Sequence, residues 1–487
     1  MSGSAATDTD RPLAPATAPP ASPMGSGARH RWPDYSAVWR WHFYAGLFCL
    51  PFFCWLALTG SVYLFRPDVE AWLDRPFEAL RIDGPRALPS SEVGAALAAV
   101  PGSVFSHYEP PATPTGAAQV VVGRDGHLYR VYVHPASLQA MRVIRDDHRL
   151  MELVSHLHGN LLLDSTGSMV VELAGSWGVV MILTGIYLWL PRKAARLGGV
   201  LYPRIRLRGR AFWRDLHAAT GFWVSTVTLF LLLSGLPWAV SWGNYLTWVR
   251  NHWAATAGTP DWPIGGQAQS TSHFASPAIR TDGMPGMSDT EMAATSSPDP
   301  APAPAADVSG LDKVAPLVQR LHVPPPVWVT PPAAGSADWT ISSHIQNRPL
   351  RITYAVDPHT GHVTGTDRFA DQNIVDKVVN VVVATHEGQL FGRINQVILL
   401  VNALALITMV VSAVVMWWRR RPTHALGAPQ PGANPRFSTA LVIAVAVLAL
   451  LLPLFGLSLL LVQATERVIL KRIPRVERWL GLARRAT

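Results

Sequence analysis

Five long apolar segments divide the chain and are separated by polar stretches of very different length. They run over residues 41–65, 169–190, 217–242, 397–418 and 439–462. Each has the roughly 20 residues that an α-helix needs to cross a hydrocarbon core of about 30 Å. The pattern predicts a membrane protein, mainly α, with about five transmembrane helices in regions 39–66, 157–191, 217–242, 389–418 and 439–463.

Basic residues indicate which loops face the cytoplasm. The loop 192–216 is strongly basic, and the loop 419–438 begins RRRPTH. Because cytoplasmic loops are enriched in Lys and Arg, both loops are predicted inside, together with the N-terminal tail 1–38. The long segments 67–156 and 243–388 are then periplasmic. Helix counting places the basic C-terminal tail, 464–487, outside as well, against the charge rule.

The net charge of +9 follows from this topology. Both long outer segments carry more acids than bases, so the positive charge belongs mainly to the inner face and the C-terminal tail. It indicates contact with the anionic lipid bilayer and argues against nucleic-acid binding.

Two stretches are too rich in Pro, Ala and Ser to bury a core. They are the tail 1–38 and an insertion at 255–308, and both are predicted to be disordered. The insertion contains four residues that could offer soft ligands to copper: His273, Met284, Met287 and Met292. A low-complexity linker without bound metal is the simpler interpretation.

The chain repeats itself. His158 precedes Trp189 by 31 residues, and His386 precedes Trp417 by 31. The first and third helices share four positions at equal offsets, namely His42, Gly46, Thr59 and Gly60 in the first and His217, Gly221, Ser234 and Gly235 in the third. These matches predict duplicated two-helix transmembrane repeats, related by an axis roughly normal to the membrane.

The outer segments match each other too. YVHPASLQA in the first and AVDPHTGHV in the second are typical of hairpins with a turn after proline, and a short amphipathic stretch precedes each set of strands. Each periplasmic segment is therefore predicted to be a small α+β module of one helix and a few antiparallel strands.

The duplicated histidines fall at two depths. His42 and His217 are predicted at the cytoplasmic side, and His158 and His386 near the outer side. Two imidazoles that face each other across a helical bundle are the axial ligands of a bis-histidine haem b, so the pattern predicts two haems. His156 is an alternative to His158. Zinc is a weaker candidate, because two histidines per layer leave a tetrahedral site short of ligands.

Two carboxylates and two glycines are candidates for supporting roles around the haem ligands. Gly46 and Gly221 would let a macrocycle approach the helix backbone. Glu172 lies inside the second apolar segment, where it could move protons, contact a haem edge or simply be solvated. Glu387 follows His386 and could orient its imidazole.

Four stretches together resemble the PepSY-associated transmembrane-helix family of iron-regulated bacterial inner-membrane proteins. They are WRWHFYAGLFCLPFFCWLALTGSVYLF, SHLHGNLLLDSTGSMVVELAGSWGVVMILTGIYLWLPR, LHAATGFWVSTVTLFLLLSGLPW and THEGQLFG. The resemblance covers about residues 38–480 without the insertion. It implies that the outer segments are PepSY modules, although HPASL in the first departs from the usual DPxTG-like pattern.

The resemblance also implies a function. Characterised relatives include ferric-siderophore reductases that bind haem and release iron in the periplasm, and His42, His217, His158 and His386 match the family's membrane-end histidines. The chain has no glycine-rich dinucleotide loop, so its electron donor, a quinol or a reductase, is predicted to be separate.

Three classes of function remain open at this point. The first is an oxidoreductase for iron uptake, with a ferric-siderophore-type substrate. The second is a membrane-anchored PepSY binding or regulatory protein without redox activity. A siderophore transporter is the weakest, because the intramembrane polar residues form no midplane site.

Overall fold

The computed structural model of the protein describes residues 34–190, 198–253, 307–333, 336–429 and 439–482. The tail up to residue 33, most of the 255–308 insertion with its histidine and three methionines, and part of the 192–216 loop lie outside the described residues.

The described helices and strands, in chain order, are as follows. The helices are α1 (Tyr35–Tyr63), α2 (Arg66–Glu78), α3 (Pro89–Ala99), α4 (Leu150–Gly159), α5 (Asp164–Trp189), α6 (Gly209–Gly235), α7 (Val240–Trp253), α8 (Leu311–Val314), α9 (Leu317–Arg320), α10 (Ile374–His386), α11 (Arg393–Arg420), α12 (Thr439–Leu451), α13 (Pro453–Val468) and α14 (Pro474–Leu480). The strands are β1 (Val104–Glu109), β2 (Ala118–Arg124), β3 (His127–Val133), β4 (Ala140–Arg145), β5 (Val327–Thr330), β6 (Trp339–Ser343), β7 (Ile352–Val356) and β8 (Val363–Arg368).

Four long apolar helices form a bundle. α1 and α6 occupy opposite corners, because each packs against both α5 and α11. Small and apolar side chains such as Ala45, Ala57 and Leu406 fill the centre, whereas Leu58 and Val401 point outward and are exposed. A helix that is apolar on every side suits a lipid environment. The described chain has five helices long and apolar enough to cross a membrane, the number predicted, but the fifth of them is Pro453–Arg472 and not the predicted segment 439–462.

The outer segments join in one antiparallel sheet of eight strands, in the order β4-β3-β2-β1-β5-β6-β7-β8. The predicted hairpins are present as β3–β4 and β7–β8. The two sets of four strands meet where β1 pairs with β5, at Tyr108 and Val329. The two modules predicted from the sequence thus share a single sheet.

The two faces of the sheet have different surroundings. α3, α8 and α9 cover one face, where Val93, Leu311 and Val329 belong to one buried apolar cluster. Side chains alternate along a strand, so Trp328, next to Val329, lies on the other face. That face lines a cavity above the bundle. The end of the bundle below the sheet is called the sheet end, and the opposite end the far end.

Two predicted helix boundaries are wrong. Both histidines were expected at the starts of membrane helices, His158 within the region 157–191 and His386 just before the region 389–418. Instead they lie in the last turns of α4 and α10, short separate helices that precede α5 and α11. Residues with positive φ, including Gly388 and Gly392, separate α10 from α11. Apolar side chains of both short helices are exposed, which suits a position at the membrane interface: Leu150, Leu153, Ile374, Val375 and Val378.

The fifth apolar segment does not form one crossing helix. Pro453 has no N–H to donate and disfavours a helical residue before it, so the helix stops at Leu451 and resumes as α13. The 13 residues of α12 span about 20 Å, too short to cross. α12 and α13 pack against each other.

The placement of the C-terminal tail is corrected as a result. The Tyr44 hydroxyl donates to the Leu480 carbonyl (2.5 Å), and Arg40 Nη1 donates to the Gly481 carbonyl (2.8 Å). Both donors lie near the start of α1, at the far end. The prediction that this tail lies across the membrane from the N-terminus is therefore wrong. Its described basic residues share the far end with the basic loops, in agreement with the charge rule.

Candidate cofactor-binding site

At the far end, the bundle brings two histidines together. His42 on α1 and His217 on α6 face each other with ring centroids 6.4 Å apart and planes inclined at 77°. Nδ1 of His42 lies 3.0 Å from the Met181 carbonyl oxygen, and Nδ1 of His217 lies 3.2 Å from that of Met409. A carbonyl oxygen only accepts, so Nδ1 carries the proton in both rings. Nε2 is then left with its lone pair, which is the form that binds a metal.

At the sheet end, hydroxyl groups hold the second pair. Nδ1 of His158 lies 2.9 Å from Thr59 Oγ1, and Nδ1 of His386 lies 2.6 Å from Ser234 Oγ. The Thr59 hydroxyl donates to the Trp55 carbonyl and the Ser234 hydroxyl to that of Leu231. Each hydroxyl therefore accepts from Nδ1–H, and Nε2 is again left unprotonated.

These contacts recur at equal offsets in the two halves. Met181 and Thr184 follow His158 by 23 and 26 residues, and Met409 and Ser412 follow His386 by the same numbers. Thr184 and Ser412 add hydroxyl oxygens 3.2 Å from Nδ1 of His42 and His217. The two helices have equivalent roles. α1 contains His42 and, through Thr59, contacts His158, whereas α6 contains His217 and, through Ser234, contacts His386.

Glycines make room for the rings themselves. A Cβ at Gly60 would lie 3.1 Å from Cε1 of His158, and one at Gly185 would lie 3.0 Å from Cε1 of His42. Gly46 and Gly221, which were expected to let a macrocycle approach the helix backbone, have methionine side chains as neighbours. A Cβ there would meet the sulfur atoms of Met181 at 3.9 Å and of Met409 at 3.3 Å, so the methionine side chains face these glycines.

A cavity of about 2120 Å³ opens between the sheet and the bundle. His158 and His386 line its lower part, where Asn402 Nδ2 donates to Thr228 Oγ1 at 3.3 Å. Its roof includes Trp328, which stacks between His107 (centroids 4.1 Å apart) and His344 (3.6 Å). The histidine pair at the sheet end is thus in contact with a space large enough for a ligand.

Burial keeps the sheet-end pair neutral. Desolvation lowers the pKa of His158 to about 4. It also lowers the pKa of His386 to about 4, and the nearby ring of His158 adds to this shift. At neutral pH both imidazoles are therefore uncharged, as metal coordination requires.

The residues present fit haem b. A metal–imidazole bond is about 2 Å long, so two rings on opposite sides of one iron have centroids roughly 6 Å apart, close to the separation of His42 and His217. The described residues contain no group of three or more His, Cys, Asp or Glu that could hold a metal ion. Ligation by two histidines from opposite corners therefore suits a cofactor that supplies the remaining ligands itself.

The two other candidates at the sheet end have different positions. His156 lines the same cavity, and its Nδ1 lies 3.4 Å from Asn160 Nδ2, a residue of the following turn. Glu387 does not hold Nδ1 of His386, since that atom is bonded to Ser234. Its Oε1 lies 3.8 Å from Nη2 of Arg348.

Glu172 caps a helix. It is 4% exposed, and its Oε2 accepts hydrogen bonds from the backbone N–H groups of Ser241 (3.1 Å) and Trp242 (3.2 Å) at the start of α7. Ser168 accepts from the N–H of Val240 beside it (3.2 Å). The first N–H groups of a helix have no partner within it, so these side chains satisfy them.

Replacement of Glu172 by leucine is expected to destabilise α7 by about 1–2 kcal/mol, because two partly buried N–H groups lose their acceptor. Glu172→Gln keeps an acceptor oxygen and is expected to cost less than about 1 kcal/mol. Limited proteolysis after α7 and thermal unfolding in detergent measure both effects. Equal destabilisation by Glu172→Gln and by Glu172→Leu would contradict the capping role, because the amide still offers an acceptor oxygen.

The residues that the sequence analysis missed are the partners of the rings. The hydroxyls of Thr184 and Ser412 and the carbonyls of Met181 and Met409 were not singled out, although they occupy equal offsets from the duplicated histidines. They can be found by aligning the two halves on their histidines and searching for hydroxyl-bearing residues at equal distances along the chain.

A family model describes most of the chain. The model of the PepSY-associated TM region matches residues 39–420, which include all four histidines and both sets of strands. No curated protein is significantly similar to the chain. Because the match extends over well more than half of the residues, the chain belongs to the family of the PepSY-associated TM region.

Proposed function

We propose that the protein is an inner-membrane haem protein that carries electrons across the bilayer and reduces a ferric chelate in the periplasm. One observation supports this above all others. Four histidines, two at each end of the bundle, have Nδ1 held by an acceptor and Nε2 left free. This arrangement positions a metal-ligating imidazole and sets its tautomer.

His42 and His217 would hold an inner haem b, and His158 and His386 an outer one. When bound, haem b supplies one-electron chemistry between its ferric and ferrous states. The protein's residues hold and orient the ligands, keep them neutral and limit water at the bundle centre. Equal offsets of the histidines and their partners in the two halves support the duplicated repeats. The matching hairpins β3–β4 and β7–β8 support the assignment of the two sets of strands as PepSY modules.

The cavity would admit the substrate. It lies on the side of the outer histidine pair and beneath the shared sheet. One electron delivered there converts Fe(III) in the chelate to Fe(II). Hard oxygen ligands hold Fe(II) much less tightly, so iron is released for uptake. Basic loops at the far end support a cytoplasmic N-terminus, with a quinol or a separate reductase as electron donor.

An absorption spectrum of the purified protein tests the proposal. We expect a Soret band that shifts when dithionite is added, with about two haems per chain. A protein that folds in the membrane without this band would instead support a PepSY binding or regulatory function, in which the helices serve as an anchor.

A further inference from the structure

Buried polar atoms without partners concentrate in one short segment of the cavity wall. Twelve side-chain N or O atoms in the described residues are buried without a hydrogen-bond partner, and five of them belong to residues 346–348, between β6 and β7. These five are Nε2 and Oε1 of Gln346, Oδ1 of Asn347, and Nε and Nη1 of Arg348. All three residues line the cavity.

Arg348 and Gln346 each contribute two of these five atoms, and Arg348 is the charged residue of the three. It is 7% exposed, and its closest carboxylate, Glu387, lies at 3.8 Å from Nη2, beyond hydrogen-bond distance. A buried guanidinium normally has its donors satisfied, because an unpaired buried charge is costly. Two of the three guanidinium nitrogens, Nε and Nη1, therefore lack an acceptor among the described residues, and Nη2 has only the long ion pair with Glu387.

Arg130, in the same cavity wall, is a buried arginine whose donors have acceptors. It is 2% exposed, and its guanidinium donates to Asp146 (2.8 Å) and Gln119 (2.8 Å) and pairs with Glu109 (2.6 Å). The two arginines are similarly buried, yet only Arg130 has a full set of acceptors. Burial under the sheet thus does not by itself explain the unpaired donors of Arg348.

The position of Arg348 indicates what the acceptor is. Glu387, its neighbour, follows His386 directly, and the cavity that Arg348 lines also contacts the rings of His158 and His386. A haem held by these two rings carries two propionate carboxylates on its edge. A planar guanidinium is suited to a carboxylate, which it can bind through two parallel N–H···O bonds.

We propose that Arg348 binds a propionate of the outer haem and so positions the cofactor against the sheet. This inference rests on the haem-binding part of the proposed function. Gln346 supplies a further amide donor on the same wall. Arg348 is a positioning residue that contacts the cofactor edge and leaves iron ligation to the histidines.

Haem and its dimethyl ester, which lacks the carboxylate charges, separate the contribution of Arg348 from that of the histidines. The apoprotein is titrated with each, in a His42→Ala background that isolates the sheet-end site. With Arg348 present we expect the ester to bind about tenfold more weakly than haem, which corresponds to about 1.4 kcal/mol. The Arg348→Met variant should bind haem more weakly by a similar factor. It should also bind haem and the dimethyl ester with equal affinity. Arg348→Lys should keep part of the preference.

Arg393→Met is the matched control, because Arg393 pairs with Asp68 on the exposed surface. It should keep the full preference for haem. The midpoint potential of the sheet-end haem gives a second readout, and it should fall in Arg348→Met, since a nearby positive charge favours the reduced state.

The inference is overturned if the protein with Arg348 binds haem and its ester equally, or if Arg348→Met keeps the tenfold preference. A lower affinity of Arg348→Met for ferric citrate, with haem binding unchanged, would also overturn it and assign the guanidinium to the substrate. If Arg348→Met does not fold, Arg348→Lys decides in its place: a preference for haem as large as that of the protein with Arg348 would overturn the inference. Failure of that protein to bind haem at all would refute the proposed function itself.

Discussion

His386→Ala is expected to leave about one haem per chain instead of two and to abolish electron transfer across the membrane. In the proposed arrangement an outer haem would lose one of the two histidines that hold it, and His158 would be left as the other. The inner haem should remain reducible from the cytoplasmic side, because His42 and His217 are held by contacts at the far end of the bundle. Haem quantitation and reduced-minus-oxidised spectra measure these effects.

His42→Ala is the complementary variant and should affect the inner haem instead. His156→Ala is the matched control, since His156 lies one half-turn from His158 and lines the same cavity. It should keep both haems. Full haem content with unchanged spectra in both His386→Ala and His42→Ala would defeat the electron-conduit proposal, and loss of the outer haem in His156→Ala would move the ligand to that position.

Arg130→Met is expected to destabilise the periplasmic sheet by about 3–5 kcal/mol, because it leaves a buried carboxylate without its partner. Arg130 pairs with Glu109 at 2.6 Å and with Asp146 at 2.8 Å, and all three side chains line the cavity. Thermal unfolding followed by the fluorescence of the sheet tryptophans measures the loss. Arg145→Met is the control, because Arg145 forms a partly exposed pair with Asp147. It should cost about 1 kcal/mol or less.

The same pair predicts a dependence on pH. Burial alone would raise the pKa of Glu109, but Arg130 and His107 more than offset this and bring the pKa well below its ordinary value. Its stabilising contribution is therefore present above the unfolded pKa of about 4.3 and is lost as the pH falls toward the folded pKa. Arg130→Met should remove this acid-sensitive part. An unchanged slope of stability against pH below 4 in that variant would contradict the assignment.

Much of the architecture could be read from local patterns. Runs of about 20 apolar residues predict spans because the bilayer requires them, and turn residues between alternating strands predict the hairpins at 134–139 and 357–362. The four histidines could be paired because duplicated offsets place them at equal depths. The structure brings His42 and His217 face to face, and it brings His158 and His386 to one cavity.

The hydrogen-bond partners of those rings could not be predicted from local sequence patterns. Met181 and Thr184 contact His42 from another helix, and Ser234 contacts His386 across 152 residues. Such contacts depend on how far each helix is rotated and shifted within the bundle, which apolar periodicity does not specify. Arg348 was not singled out, because guanidinium nitrogens without an acceptor become unusual only when their burial is known.

By itself, the sequence determined the number of apolar segments, the positions of the duplicated histidines and the two hairpins, since all depend on neighbours along the chain or on equal spacing. The tertiary structure decided that the two modules share one sheet through β1 and β5 and that the cavity lies under it. It also decided that Pro453 turns the last apolar segment back, so that α14 lies beside Arg40. These features depend on pairing and packing between distant segments, whose free energy is set only when the whole chain is folded.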